Sequence, residues 1–345
     1  MALTVRFHEI GGPEVLRIED LPVRQPGPGE LLLRVEAIGL NRAEANFRRA
    51  GYIEQPRSLP SQLGYEAAGT VELLGPGVTR FEVGEPVSVV PAFSMNDYGV
   101  YGELVVVPAS AVVRRPEPIS ATVGAASWMA FLTVYGALVD IGGIRAGDAV
   151  IINAASSSVG LAAIGTVAHI GGVPIAVTRN SSKKEPLRQA GAAVVVGTDQ
   201  DDLVAEVLKA TDGVGARFVF DAVAGPGVRE LARATAPGGI HFIHGTLSGQ
   251  PTPFPGTETM RAYSMRSYTL FEFTRNPGQL REAERFITAG LLSGGLAPVV
   301  DRVFPLSEIV AAHRYLESNL QVGKVVVTVG AEPRPTVQHP QAVAR

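Results

Sequence analysis

The stretch Ala149-Val-Ile-Ile-Asn-Ala-Ala-Ser-Ser-Ser-Val-Gly160 constrains the fold of this chain more than any other. Four apolar residues run into a turn of small ones, and the turn leads into a helical pattern. A strand, a tight turn with open backbone N–H groups and a helix N-terminus are the local geometry that holds a dinucleotide pyrophosphate. From about Thr122 onward the sequence supplies neighbours for that strand. Strands are expected at 149–153, 173–178, 193–196, 217–221, 239–244 and 267–272, separated by crossover-length intervals. Six such strands specify an α/β fold with a Rossmann-type doubly wound parallel sheet.

The first 113 residues have another texture. Short alternating runs such as Glu30-Leu-Leu-Leu-Arg-Val-Glu-Ala-Ile38 and Gly102-Glu-Leu-Val-Val-Val107 are broken by Gly-Pro turns, which predicts a compact β domain. Beyond the sixth strand, a helix near 278–292, a strand near 299–303, a helix near 306–317 and the strand Lys324-Val-Val-Val-Thr328 are expected to return to that first domain. The expected division is 1–123 with 273–330 for one domain and 124–272 for the dinucleotide domain. Residues 331–345, with three prolines and no periodicity, read as a loose tail.

Composition narrows the function. With 30 basic and 33 acidic residues there is no electrostatic footprint for nucleic acid or an anionic membrane. The absence of cysteine excludes disulfides, thiolate nucleophiles and cysteine-based zinc sites, and is compatible with a reducing cytoplasm. No apolar run of about 18 residues is apparent, nor a secretory pattern at the start, so a cytoplasmic protein acting on a small molecule is expected.

Within the turn, Ala155, Ser156, Ser157, Ser158, Val159 and Gly160 are the expected pyrophosphate contacts, with Gly160 letting the helix pack closely on the sheet. About twenty residues after the turn, Thr178-Arg179 stands where an acid would bind an unmodified ribose. An arginine there favours a 2′-phosphate, hence NADPH, and Ser181 and Lys183 lie near enough to add donors. The alternative is that Ser182 and Glu185 form a capping box and that Lys183 only lines a wet helix face. At the carboxyl end of a later strand, Gly245-Thr246 is placed to let backbone approach the nicotinamide ribose.

The order of the pieces Gly39-Leu-Asn-Arg-Ala-Glu44, Phe47-Arg-Arg-Ala-Gly-Tyr52, Gly64-Tyr-Glu-Ala-Ala-Gly69, Leu132-Thr133, the 154–160 turn and Gly323-Lys-Val-Val-Val resembles the medium-chain dehydrogenase/reductase superfamily. The likeness is to its zinc-free quinone oxidoreductase-like branch, which includes zeta-crystallin and enoyl reductases. The resemblance implies a GroES-like β domain beside the Rossmann domain, a homodimer formed through the sixth strand (Ser267 to Thr274), and NADPH as cofactor. It puts Asn41, Tyr65 and Met129 at the positions of the zinc ligands in metal-containing relatives, and none of the three is a competent ligand set. It also places Tyr52 as proton donor, Asn41 at the nicotinamide ribose or substrate carbonyl, Thr133 at the carboxamide, and Phe271 and Lys324 beside the cofactor.

Loss of a Lewis acid penalises direct alcohol or ketone chemistry by removing charge stabilisation at oxygen. Conjugated acceptors suffer least, because hydride addition gives a delocalised enolate that hydrogen bonds can stabilise and a proton can quench. The expected activity is therefore an NADPH-dependent reduction of an activated C=C bond (enone, enal or enoyl thioester) or a quinone. A carbonyl reductase or alcohol dehydrogenase and a catalytically silent NADPH-binding protein are the alternatives. No histidine is expected to act as a base, and Trp128, Met129, Phe131, Phe93, Met95, Tyr98, Tyr101, Phe271 and Phe273 are candidate pocket walls or core.

Overall fold

The computed structural model describes residues 1–256 and 262–330. The expected tail and part of the 247–266 loop lie outside the described residues. Two sheets organise the rest, one of seven strands and one of six, with a separate hairpin pairing Ala2–Phe7 and Leu16–Leu21.

Glu30–Gly39 is the spine of the first sheet. Ala67–Leu74 pairs along one side of it, while Leu104–Pro108 takes the first half of the other side and Lys324–Thr328 the second. Leu33 therefore faces Val105 and Gly39 faces Val326 on the same edge. The strand is buried along nearly its whole length, and Val35, Ala37 and Ile38 are among its fully covered residues. Val300–Pro305 runs parallel to Lys324–Thr328, and Ile309–Ser318 is the helix between them. Helix Pro277–Ser293 lies across the seam, its Phe286 ring 5.3 Å from Tyr135 and its Glu284 paired with Arg80 at 3.0 Å.

The second sheet is parallel throughout, in the order Val194–Gly197, Val173–Thr178, Ala149–Ile152, Ala216–Asp221, Thr235–Ile243 and Tyr263–Ser267. The strand of the phosphate turn is thus central, and the connections reverse direction beside it. That reversal is where open α/β sheets bind ligands.

Two expectations need correction. The sixth strand is Tyr263–Ser267 rather than 267–272, and Phe271–Thr274 is a short helix. Tyr268, Leu270, Phe271, Phe273 and Thr274 are all buried, which an alternating edge strand cannot achieve, and Glu272 turns back to accept from Thr269 N at 3.2 Å. Secondly, Ala121–Ile141 is a continuous helical stretch of 21 residues with a mean hydropathy of 1.5, long and apolar enough to cross a membrane by composition. It is 78% buried inside the fold and packs against both the Glu30–Gly39 strand and the helix behind the phosphate turn, so it is the core helix joining the two sheets.

Candidate active site

The phosphate turn is held from beneath. Asn153 Nδ2 donates to Asp221 Oδ1 at 2.9 Å, while its Oδ1 accepts from Ala154 N at 3.0 Å. Ala154 takes φ +55°, a left-handed conformation that this support stabilises. Ser157 caps helix Ser158–Ile170 by accepting from Gly160 N at 3.0 Å, leaving Ser158 and Val159 in the first turn. A Cβ on Gly160 would stand 2.5 Å from Ala155 O and 2.7 Å from Ala154 O, so only glycine lets the turn close this tightly. Ala155 itself is buried and donates to Val177 O at 3.1 Å, and Ser156 O accepts from Gly323 N at 3.1 Å. The cradle of small residues fits a dinucleotide pyrophosphate.

At the end of the neighbouring strand, Thr178 is buried and Arg179 is exposed. No hydrogen bond or ion pair holds the Arg179 guanidinium among the described residues. Lys183 differs. Its Nζ donates to Ser156 Oγ, Asn319 O and Gln321 O at 3.2–3.3 Å, and burial and the charge of Arg179 push its pKa down. Ser181 is also engaged, by Asp199, with its Oγ donating at 2.7 Å. Ser182 does not cap the helix Lys184–Gln189, which starts after Lys183 without a side-chain cap; Asn180 caps the preceding 3-10 turn, its side chain accepting from Ser182 N at 2.9 Å.

The opposite end of the site is buried. Lys324, 1% exposed, donates at 2.6 Å to both Asn41 Oδ1 and Glu66 Oε2. Glu66 also accepts from Met129 N at 3.0 Å. Asn41 Nδ2 donates to Gly39 O at 3.1 Å and Glu44 Oε1 at 3.3 Å, and Glu44 accepts from Asn41 N and Tyr65 N. Both amide hydrogens of Asn41 are thus committed inward, and only its oxygen has capacity left. Burial pushes Glu44 up to about 7, against the pull of the Lys324 charge. Both of these Lys324 contacts are internal, to Asn41 and Glu66.

Sequence reasoning missed Glu44 and Glu66, although Asn41-Arg-Ala-Glu44 has capping-box spacing and forms one here. Thr133 lies in the same neighbourhood, 7% exposed, with its hydroxyl donating to Met129 O at 2.6 Å.

Tyr65 centres an aromatic wall. Its ring lies 5.5 Å from Phe271, 5.6 Å from Phe93 and 6.3 Å from Tyr52. Its hydroxyl donates to Glu54 Oε1 at 2.7 Å, and Glu54 also accepts from Ser94 Oγ, Met95 N and Asn96 Nδ2. One carboxylate therefore ties loop 50–60 to loop 91–101. Burial, with the nearby Glu44, raises the Tyr52 pKa, so its hydroxyl stays a neutral donor. Of the other candidate wall residues, Tyr101 packs on His313, Phe273 packs on Tyr135, and Trp128, Phe131 and Met95 are core. Tyr98 binds Glu30 at 2.9 Å.

At the later strand ends, Gly245 sits where a Cβ would meet Ala222 O at 2.7 Å, and Thr246 is exposed. Asp221 is an internal anchor: besides Asn153 it accepts from Val223 N at 2.8 Å and meets His241 Nε2 at 3.0 Å. His244 stacks on Phe220 at 4.0 Å, and burial pushes it down to about 4.

The donor set does not suit zinc. Asn41 Oδ1 already carries an ammonium, Tyr65 is bound to Glu54, and among the described residues no group of three or more His, Cys, Asp or Glu could hold a metal ion.

Comparison with known proteins places these features in context. Residues 27–117 match the family model of the alcohol dehydrogenase GroES-like domain, and residues 190–327 match that of the zinc-binding dehydrogenases. A quinone oxidoreductase from Pseudomonas aeruginosa is 31% identical over 330 residues, covering 95% of this chain and 99% of that protein. A 2-haloacrylate reductase from a Burkholderia species is 28% identical, with 95% and 99% coverage. The structure of Escherichia coli quinone oxidoreductase complexed with NADPH superposes with a TM-score of 0.86 at 26% identity, covering 94% of this chain and 99% of that one.

Proposed function

Because the chain belongs to the zinc-free quinone oxidoreductase-like branch of the medium-chain dehydrogenase/reductase superfamily, we infer that it is an NADPH-dependent oxidoreductase that reduces an activated C=C bond or a quinone. The observation that carries this reading is the buried ammonium of Lys324 between Asn41 and Glu66. It fills the reactive end with fixed, paired charge in place of a Lewis acid, so the acceptor must delocalise its own developing charge.

NADPH, when bound, supplies the hydride. We assign the 155–160 turn to the pyrophosphate and Arg179, supported by its unpaired guanidinium, to the 2′-phosphate. Asn41 offers its oxygen to a ribose hydroxyl, while Lys324 and Glu66 fix the amide, and Thr133 borders the carboxamide. On the acceptor, addition at the β-carbon moves the π pair onto the carbonyl oxygen. Tyr52, kept neutral by burial, donates a hydrogen bond to that enolate, and a proton drawn from solvent water then adds at the α-carbon. Tyr65, Phe93 and Phe271 form the apolar wall on which a conjugated plane stacks.

The division into 1–123 with 273–330 and 124–272 is supported by the pairing of Lys324–Thr328 with Glu30–Gly39. A homodimer through the outer edge of Tyr263–Ser267 is supported by that strand's place at the end of its sheet, and sedimentation of the full chain tests it. Burial of Ala121–Ile141 within the fold supports a core helix and not a membrane span.

The test of function is product analysis with 4-deuterated NADPH and a conjugated enone. A saturated ketone carrying deuterium at the β-carbon is expected. An allylic alcohol would move the activity to carbonyl reduction. Bound NADPH with neither saturated ketone nor hydroquinone from a quinone would leave a binding protein.

A further inference from the structure

Strands Val173–Thr178 and Val194–Gly197 are adjacent and parallel, with Thr178 opposite Gly197. The residues just past each strand, Arg179 to Ser181 and Thr198 to Asp199, therefore emerge side by side, and Thr198 N donates to Thr178 O at 2.9 Å. There the Asp199 carboxylate takes both donors of Ser181: the backbone N–H lies 3.1 and 3.2 Å from its two oxygens, and Oγ lies 2.7 Å from Oδ1. Glycine at 197 permits this, because a Cβ there would stand 2.2 Å from Ser181 Oγ and 3.0 Å from Asp199 Oδ1. These hydrogen bonds hold Asp199 below the usual carboxylate range, so it is ionised at neutral pH.

The cations around it are unevenly available. Lys184 is paired with Asp201 at 2.7 Å and Lys183 is held by two carbonyls and Ser156. Arg179 remains. An incoming 2′-phosphate thus meets one open guanidinium and an internal anion already seated on the next pair of donors.

We propose that Asp199 is a specificity-determining residue that narrows the preference for NADPH over NADH by competing with the 2′-phosphate for Ser181. The phosphate must displace the carboxylate and remain near its charge, whereas the 2′-hydroxyl of NADH meets an acceptor. This inference rests on the assignment of the 2′-phosphate to Arg179.

The experiment is fluorescence titration of the full-length protein and its Asp199→Ala and Asp199→Asn variants with NADPH and NADH. Asp199→Ala should tighten NADPH about fivefold, as expected for an exposed charge contact, and should not tighten NADH. The gain should shrink at high salt, because the opposing charge is screened. Asn keeps an acceptor for Ser181 and removes the charge, so a smaller gain than with Ala assigns the effect to donor occupancy and an equal gain assigns it to repulsion.

NADPH affinity unchanged or weakened in both variants would overturn the proposal. Arg179→Ala separates the two levels. If it removes the NADPH preference while Asp199 is inert, only the role of Asp199 falls; if neither position affects NADPH, the placement of the phosphate falls with it.

Discussion

The two ends of the site are built on opposite principles. At the buried end Glu44, Asn41, Lys324 and Glu66 are joined to one another by hydrogen bonds, the Asn41 oxygen accepting from Lys324. At the end proposed for the adenosine, Arg179 is exposed, Ser181 pairs with Asp199 and Lys184 with Asp201, all near the surface. Buried charges are costly to separate and therefore rigid, whereas exposed ones are cheap to rearrange. On the proposed assignments, the chemistry falls among buried paired charges and cofactor choice falls where one exposed substitution can retune it.

The sharpest way to break this contrast is Lys324→Met. It leaves Glu66 buried without its cation, and a loss of about 3–5 kcal/mol in unfolding free energy is expected by chemical denaturation. Adding Glu66→Gln should recover much of that loss. A cost near that of an exposed pair would erase the distinction.

Next in size is a pH effect. Glu44 titrates near 7 when folded against an ordinary 4.5. Between those values the folded form holds the extra proton. Its contribution is full below pH 4.5, and stability falls as pH rises through 7, by about 3 kcal/mol in all. Glu44→Gln, which cannot ionise, should flatten that slope in a series of melts.

Tyr52→Phe keeps the ring against Tyr65 and removes the donor. A fall of about a hundredfold in kcat with little change in NADPH affinity is expected from steady-state kinetics. A fall in affinity alone would make Tyr52 a wall and not a donor. Smallest is Arg179→Ala, expected to weaken NADPH about tenfold, with NADH nearly unaffected. An equal loss for both nucleotides would show that the exposed end does not discriminate.

Much of this architecture was legible because local pattern and tertiary role coincide. Ala149–Ile152 and Val173–Thr178 are apolar runs bounded by small or polar residues, and they form strands almost to the residue. Reading failed where burial came from unrelated directions. Phe271 and Phe273 look alternating in sequence, yet one packs on Tyr65 and the other on Tyr135, and a helix satisfies both. The long apolar stretch after Ser120 escaped notice because glycine, serine and threonine dilute it.

At the site, Asn41 and Glu44 were accessible through their spacing, but the Lys324–Glu66 pair joins positions 258 residues apart with no local sign of it. Asp199 was hidden for a similar reason. Strand register, and not spacing along the chain, delivers its carboxylate to Ser181.

The strand that closes the β sheet also times the appearance of the site. Gly323 N meets Ser156 O, and the very next residue, Lys324, holds Asn41. A growing polypeptide on the ribosome can form the dinucleotide sheet once residue 267 has emerged, yet the phosphate turn and the reactive end are joined only when this late segment arrives. A chain cut short before Gly323 would keep the strands of the parallel sheet and lack the lysine that holds Asn41.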